Sequence, residues 1–304
     1  MKFHDILICF GILCACVGCD SRSGTVRTGK PLVENPTEPD PFAPRKPFYE
    51  NYGWTPEKYF PGDADMARLC KAIERNDMEV VRKTIADGVN VRTVGVDNMT
   101  PLMWTFPSQS YDIFEALLDA GADPNVRVKS DLGTRKDTWV ISEGDCVTSL
   151  VACKKDLKFL ECVMKHGGDP TATKDAGRLK LQDTMLETII RGNIKGEETY
   201  KAVQLLLDFG ADVNGADARD IRHDGGDHRP LRTAIIFRRF DIAILLLERG
   251  AEPVPGAVKN AVDAEKDRNF WDDPQLETDY QNMIRLMKKH GADFKKVQNA
   301  TRNK

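Results

Sequence analysis

Asp119-Ala120-Gly121-Ala122-Asp123-Pro124-Asn125 follows a stretch whose apolar residues, Ile113, Phe114, Leu117 and Leu118, fall at helical spacing. Gly121 stands where that helix must end, because glycine takes the left-handed backbone of a C-terminal cap at little cost. Asp or Asn just beyond can hydrogen-bond the backbone of the turn. The phrase recurs as Ala86-Asp87-Gly88-Val89-Asn90, Lys165-His166-Gly167-Gly168-Asp169-Pro170, Asp208-Phe209-Gly210-Ala211-Asp212-Val213-Asn214, Glu248-Arg249-Gly250-Ala251-Glu252-Pro253 and Lys289-His290-Gly291-Ala292-Asp293-Phe294. Its first glycines are separated by 33, 46, 43, 40 and 41 residues. Six helix stops of one chemistry imply six copies of one unit. His166 and His290 precede their glycines, where positive charge suits the helix dipole.

The opposite end of the unit is visible as Asn98-Met99-Thr100-Pro101-Leu102, and more weakly as Asp227-His228-Arg229-Pro230-Leu231 with Ala234. Proline in the first helical turn forfeits no hydrogen bond. Asn and Asp stand where a Gly is expected, and they are the side chains that best tolerate positive φ. Together the two phrases resemble the Gly-x-Thr-Pro-Leu opening and the Gly-Ala-Asp-x-Asn ending of ankyrin repeats. The resemblance covers about residues 63–297 and implies an all-α, ankyrin-type solenoid of about six helix pairs with extended finger loops. Expected repeats are 63–92, 98–126, 146–172, 183–214, 229–255 and 256–294, with a polar tail at 298–304. There are departures: no His follows Pro-Leu, and Cys146-Val147-Thr148-Ser149-Leu150 lacks the Pro. A lone helix pair cannot bury its apolar face, so neighbours must stack.

Upstream of the repeats the chain reads as a targeting segment and a tether. Lys2 is followed by an apolar run over 6–17, too short at about 1.5 Å per residue to cross a hydrocarbon core of about 30 Å. It has the size of a secretory h-region. Val17-Gly18-Cys19, followed by the polar Asp20-Ser21-Arg22, resembles the bacterial lipobox. That resemblance implies a signal peptide over 1–18 and acylation of Cys19. Leu13-Cys14-Ala15-Cys16 would instead make Cys16 the modified residue, and a plain secretory signal is the third reading. Residues 19–62 form a tether in which Pro31, Pro36, Pro39, Pro41, Pro44 and Pro47 favour extended backbone. Phe48-Tyr49-Glu50-Asn51-Tyr52-Gly53-Trp54 is too aromatic for a linker and is expected to dock on the first repeat.

Extra residues belong in the fingers between repeats. The insertion 127–145 alternates apolar and polar residues around Asp131-Leu132-Gly133, as a β-hairpin does. Arg135, Asp137 and Trp139 near its tip are candidate partner contacts, since Trp and Arg dominate binding hot spots. The alternative is that Trp139 packs back on the stack. Residues 215–228 hold Arg222, His223, Asp224, Asp227 and His228 among flexible glycines. Arg222 and His223 are further candidates for partner contact. Residues 263–279 add Trp271, and Trp104 lies on the first helix of its repeat, either in the core or on an exposed face.

The formal net charge of −3 gives no electrostatic case for nucleic acid. Cys70, Cys146, Cys153 and Cys162 remain beyond the signal. Cys70 is too many layers from the rest for a disulfide and reads as a buried thiol. No nucleophile elbow, phosphate loop or zinc-protease motif is present, so no catalytic residue, metal or cofactor is assigned. The resulting expectation is a non-catalytic, monomeric protein-binding scaffold, lipid-anchored at the bacterial cell envelope and facing the periplasm. An immunity or regulatory role toward an exported protein is its sharper form. The alternative is a metal-dependent hydrolase using the His223–His228 loop, and a third reading is an envelope spacer.

Overall fold

The computed structural model describes Tyr49 and residues 53–133, 141–152, 156–175, 182–192, 196–215, 229–266 and 273–297. All belong to one unit, residues 45–304. A short helix α1 (Pro56–Tyr59) comes first, followed by α2 (Ala64–Glu74), α3 (Met78–Ala86), α4 (Tyr111–Asp119), α5 (Val147–Val151), α6 (Leu157–Lys165), α7 (Met185–Arg191), α8 (Glu197–Asp208), α9 (Pro230–Ile236), α10 (Phe240–Glu248), α11 (Pro255–Lys266) and α12 (Pro274–Lys289). Local sequence sets the starts. Asp63, Asp77, Asp156 and Asp273 each accept a backbone N–H in the first turn, and Thr184 and Glu187 close a reciprocal capping box on α7. Pro230 opens α9, where its missing N–H costs nothing.

The stops are set by the repeated phrase. Gly88, Gly121, Gly167, Gly210, Gly250 and Gly291 all have φ between +81° and +94°. At the end of α4, Gly121 donates to Leu118 and Ala122 to Leu117; at the end of α10, Gly250 donates to Leu247 and Ala251 to Leu246. The same two bonds close α3, α6, α8 and α12. This is one Schellman cap made six times. Equivalent corners of successive layers therefore carry equivalent residues.

The helices form two rows. The second helices α3, α4, α6, α8, α10 and α12 pack each on the next, and the first helices α7, α9 and α11 do the same beside them. The core runs between the rows through Ile73, Val81, Leu102, Phe114, Leu117, Leu150, Val163, Ile189, Leu206, Leu231, Leu246 and Met283, all buried. The fold is thus the expected all-α solenoid, six stacked repeats among the described residues, in which burial comes from stacking between layers.

Three details differ from the sequence expectation. The first helix of the second repeat shrinks to 3₁₀ turns at Val96–Asn98 and Met103–Thr105. Asp97 and Asn98 there have φ of +56° and +60°, the backbone for which a glycine was expected. Helical structure stands inside the stretch assigned to the tether, at Tyr49 and in α1. A two-stranded antiparallel sheet, β1 (Thr173–Asp175) and β2 (Gln182–Thr184), stands between the third and fourth repeats, pairing Thr173 with Thr184. In the 127–145 finger, the pairing among described residues is a single antiparallel bridge, Leu132 to Ile141, extended by Val128 donating to Asp145 and Gly144 to Val128.

Candidate partner-recognition surface

Trp104 is the one residue proposed for partner contact that lies among the described residues, and its side chain is 0% exposed. Of the two readings of Trp104 the core one holds and partner contact through its side chain does not: it is the centre of an aromatic cluster. Tyr49 stacks on it at 5.7 Å, Trp54 lies at 5.5 Å, Tyr59 meets it edge-on at 6.0 Å, and Phe60 lies at 6.1 Å. The Tyr49 hydroxyl donates to the Trp104 carbonyl at 2.8 Å, and Trp104 Nε1 donates to Glu74 Oε1 at 3.2 Å. Burial pushes the Glu74 carboxyl above its ordinary range, against the opposing pull of the Trp104 hydrogen bond and of Lys71 and Arg75. Burial likewise raises the Tyr49 phenol.

The remaining proposed positions, Cys19, Arg135, Asp137, Trp139, Arg222, His223 and Trp271, fall outside the described residues, as do Cys16 and His228. The 127–145 finger that carries Arg135, Asp137 and Trp139 is tied to the stack at its base. Val128, Leu132 and Ile141 are buried, Lys129 donates to the Asp97 carbonyl, and Asn98 Nδ2 donates to the Arg127 carbonyl at 2.9 Å. The structure adds candidates that the sequence reading missed. Val94 and Val96 are exposed on the first finger, and Ile236 and Phe237 are 50% and 49% exposed at the corner between α9 and α10. Ile235-Ile236-Phe237 is a longer apolar run than a one-sided helix needs, and that was the legible signal.

One constellation has the makings of a catalytic triad. Cys162 Sγ lies 3.8 Å from His166 Nδ1, and His166 Nε2 lies 3.0 Å from Asp119 Oδ1. Its geometry is structural. Nδ1 is held at 2.8 Å by the Cys162 carbonyl, so each ring nitrogen already faces an oxygen acceptor. Burial pushes the Cys162 thiol up to about 11, which keeps it protonated at neutral pH. A thiol held protonated, beside a ring nitrogen that lies closer to the Cys162 carbonyl than to its sulfur, is not an activated nucleophile. His166 instead joins layers, as Arg249 does by pairing with Asp208 at 2.8 Å. Cys70, Cys146 and Cys162 are buried free thiols. Among the described residues, no group of three or more His, Cys, Asp or Glu side chains is placed to hold a metal ion. No described helix is long and apolar enough to cross a membrane.

Residues 97–129 match the ankyrin repeat family model. An ankyrin repeat domain from Acinetobacter baumannii AYE superposes with a TM-score of 0.51 at 20% identity, over 74% of this chain and 98% of that one. The ankyrin repeat domain of Bcl-3, described as a unique member of the IkappaB protein family, aligns with a TM-score of 0.49 at 21% identity, over 76% of this chain and 88% of that one. No curated protein matches the sequence. Residues 97–129 therefore match an ankyrin repeat, and the chain shares the fold of the Acinetobacter ankyrin repeat domain.

Proposed function

We propose that this protein is a non-catalytic, monomeric scaffold that binds another protein at the bacterial cell envelope, anchored through an acylated Cys19 and facing the periplasm. The observation that carries the binding reading is the stack itself. Its described layers stack side by side and leave first helices and inserted loops along their edges, the arrangement that supports a recognition surface. The Val17-Gly18-Cys19 sequence after a short apolar run supports the anchor. The Pro-rich stretch that follows supports a tether.

In this reading, Arg135, Asp137 and Trp139 of the 127–145 finger, with Arg222, His223 and Trp271, make the partner contacts. The sharper form is an immunity or regulatory protein for an exported partner, because anchoring plus one recognition surface suits interception outside the cytoplasm. Crosslinking in intact envelopes followed by affinity purification tests it, with a 129–143 deletion as control. An exported protein crosslinked to the full chain and lost in the deletion is the expected result. Crosslinks unchanged by the deletion would remove the finger from the interface, and their complete absence would favour an envelope spacer.

A further inference from the structure

The aromatic cluster around Trp104 is built in an unusual way for part of a repeat stack. The layers are tied to one another through the backbone: Thr148 donates to Pro124, and Lys129 to Asp97. The segment carrying Tyr49 and residues 53–60 is not. Its described backbone hydrogen bonds are local: Trp54 to Tyr49, Lys58 and Tyr59 to Thr55, Phe60 to Pro56 and, at the junction with the α2 cap, Asp63 to Phe60. It meets the stack through side chains, namely four aromatic rings on Trp104, the Tyr49 hydroxyl on the Trp104 carbonyl, and an exposed Lys71–Glu57 ion pair at 3.4 Å. A self-contained backbone with side chains seated in a receiving surface is how a peptide ligand docks.

The receiving surface belongs to the first-helix row. α1 packs mainly on α2 and on Val96–Asn98 at the base of the first finger. Gly95 at that base is shaped to it, since a Cβ there would stand 2.3 Å from the Tyr59 carbonyl oxygen and 2.7 Å from a Phe60 ring carbon. Residues 99–105 are buried along their whole length, whereas Ile236 and Phe237 at the end of α9 are open.

We infer that Tyr49, Trp54, Tyr59 and Phe60 form an intramolecular strap, a tethered ligand that fills the recognition groove of the first two repeats. This rests on the protein-binding reading, and it adds regulation: the groove opens only to a partner segment that supplies aromatic side chains in the strap's place.

The test makes the strap a separate molecule. A specific protease site is inserted between Pro61 and Gly62 of the full chain, outside the Asp63 cap of α2, and the protein is cut. A fluorescent peptide spanning residues 45–61 is then added. The expected result is an unchanged helical circular dichroism signal and saturable peptide binding that competes with the unlabelled peptide. The peptide with Tyr49→Ala and Trp54→Ala should bind at least about tenfold more weakly, since each aromatic contact adds to its buried area. Loss of the helical signal on release would show that the segment is an integral layer, and a folded body that takes up no peptide would show a fixed cap. Either overturns the strap. Neither touches the envelope crosslinking result, so the two readings fail separately.

Discussion

The side-chain oxygen of Asn125 accepts the backbone N–H of Asp169 at 2.9 Å, one layer further along the stack. Asn125 also donates to the Gly167 carbonyl at 2.9 Å and accepts from the Thr148 hydroxyl at 2.8 Å. Asn214 repeats the relationship two layers on, accepting from Glu252 N–H at 2.9 Å. At these two corners the terminal Asn of the Gly-Ala-Asp-x-Asn phrase therefore fastens one layer to the next.

Asn125→Ala should lower stability by about 2 kcal/mol, the net worth of a few hydrogen bonds at roughly 0.5–1.5 kcal/mol each. Thr148→Val removes only the hydroxyl bond to Asn125 and should cost less than Asn125→Ala. Urea unfolding measures both. A Thr148→Val loss as large as that of Asn125→Ala would show that the bonds from Asn125 to Asp169 and Gly167 contribute nothing.

Two glycines should fail for different reasons. Gly210 has φ +92° with no atom within 4 Å of a built Cβ, so Gly210→Ala meets only backbone strain of about 1–2 kcal/mol. Gly95→Ala collides with the Tyr59 carbonyl and the Phe60 ring. It should expose tryptophan to a fluorescence quencher, and Gly210→Ala should not. The reverse pattern would place the close approach elsewhere.

Glu74 gives stability a pH dependence of known sign. Its carboxyl is raised above the unfolded value of 4.5, so the contribution is fully present below that pH and is lost as pH rises through the folded value. Glu74→Gln keeps an oxygen for Trp104 Nε1 and removes the charge. It should raise Tm relative to the native chain at pH 7 and leave it nearly equal at pH 4. A variant less stable at pH 7 would mean that the ionised carboxylate is favourable where it stands.

Burial holds the Cys70 thiol far above its ordinary range and pushes Cys162 up to about 11. Neither should react with iodoacetamide at pH 7.5 in the folded protein, and both should react in urea. Mass spectrometry of the peptides decides it, and native-state labelling of Cys162 would reopen the case for the Cys162–His166–Asp119 cluster.

Acylation predicts that an alkynyl fatty acid fed to the expressing bacterium labels the protein. Cys19→Ala should abolish the label and release the chain from the membrane fraction. Label retained in Cys19→Ala and lost in Cys16→Ala would move the anchor three residues upstream.

Much of this was legible in the sequence, for physical reasons. A Schellman cap needs a glycine and a following small residue, so every helix end of this type left the same mark at Gly88, Gly121, Gly167, Gly210, Gly250 and Gly291. Thr55-Pro56, with the Thr55 side chain accepting from Lys58, carried an ordinary helix-start signal that lay unread within the tether. The β1–β2 pair had no apolar alternation to betray it, since Thr173-Lys174-Asp175 and Gln182-Asp183-Thr184 are polar throughout. Trp104 was the least readable. Helical spacing gives a residue its side of a helix, but its cover comes from Tyr49, fifty-five residues earlier in the chain.

The tight fit at Gly95 has a practical consequence for anyone reshaping this molecule. A transplanted loop further along the stack would have to keep the corner residues that tie the layers, such as Asn125 and Asn214. The first loop sets a different condition. Any graft that brings a side chain to position 95 would evict the aromatic residues lying on it, and a designer's change of loop would become a change of gate.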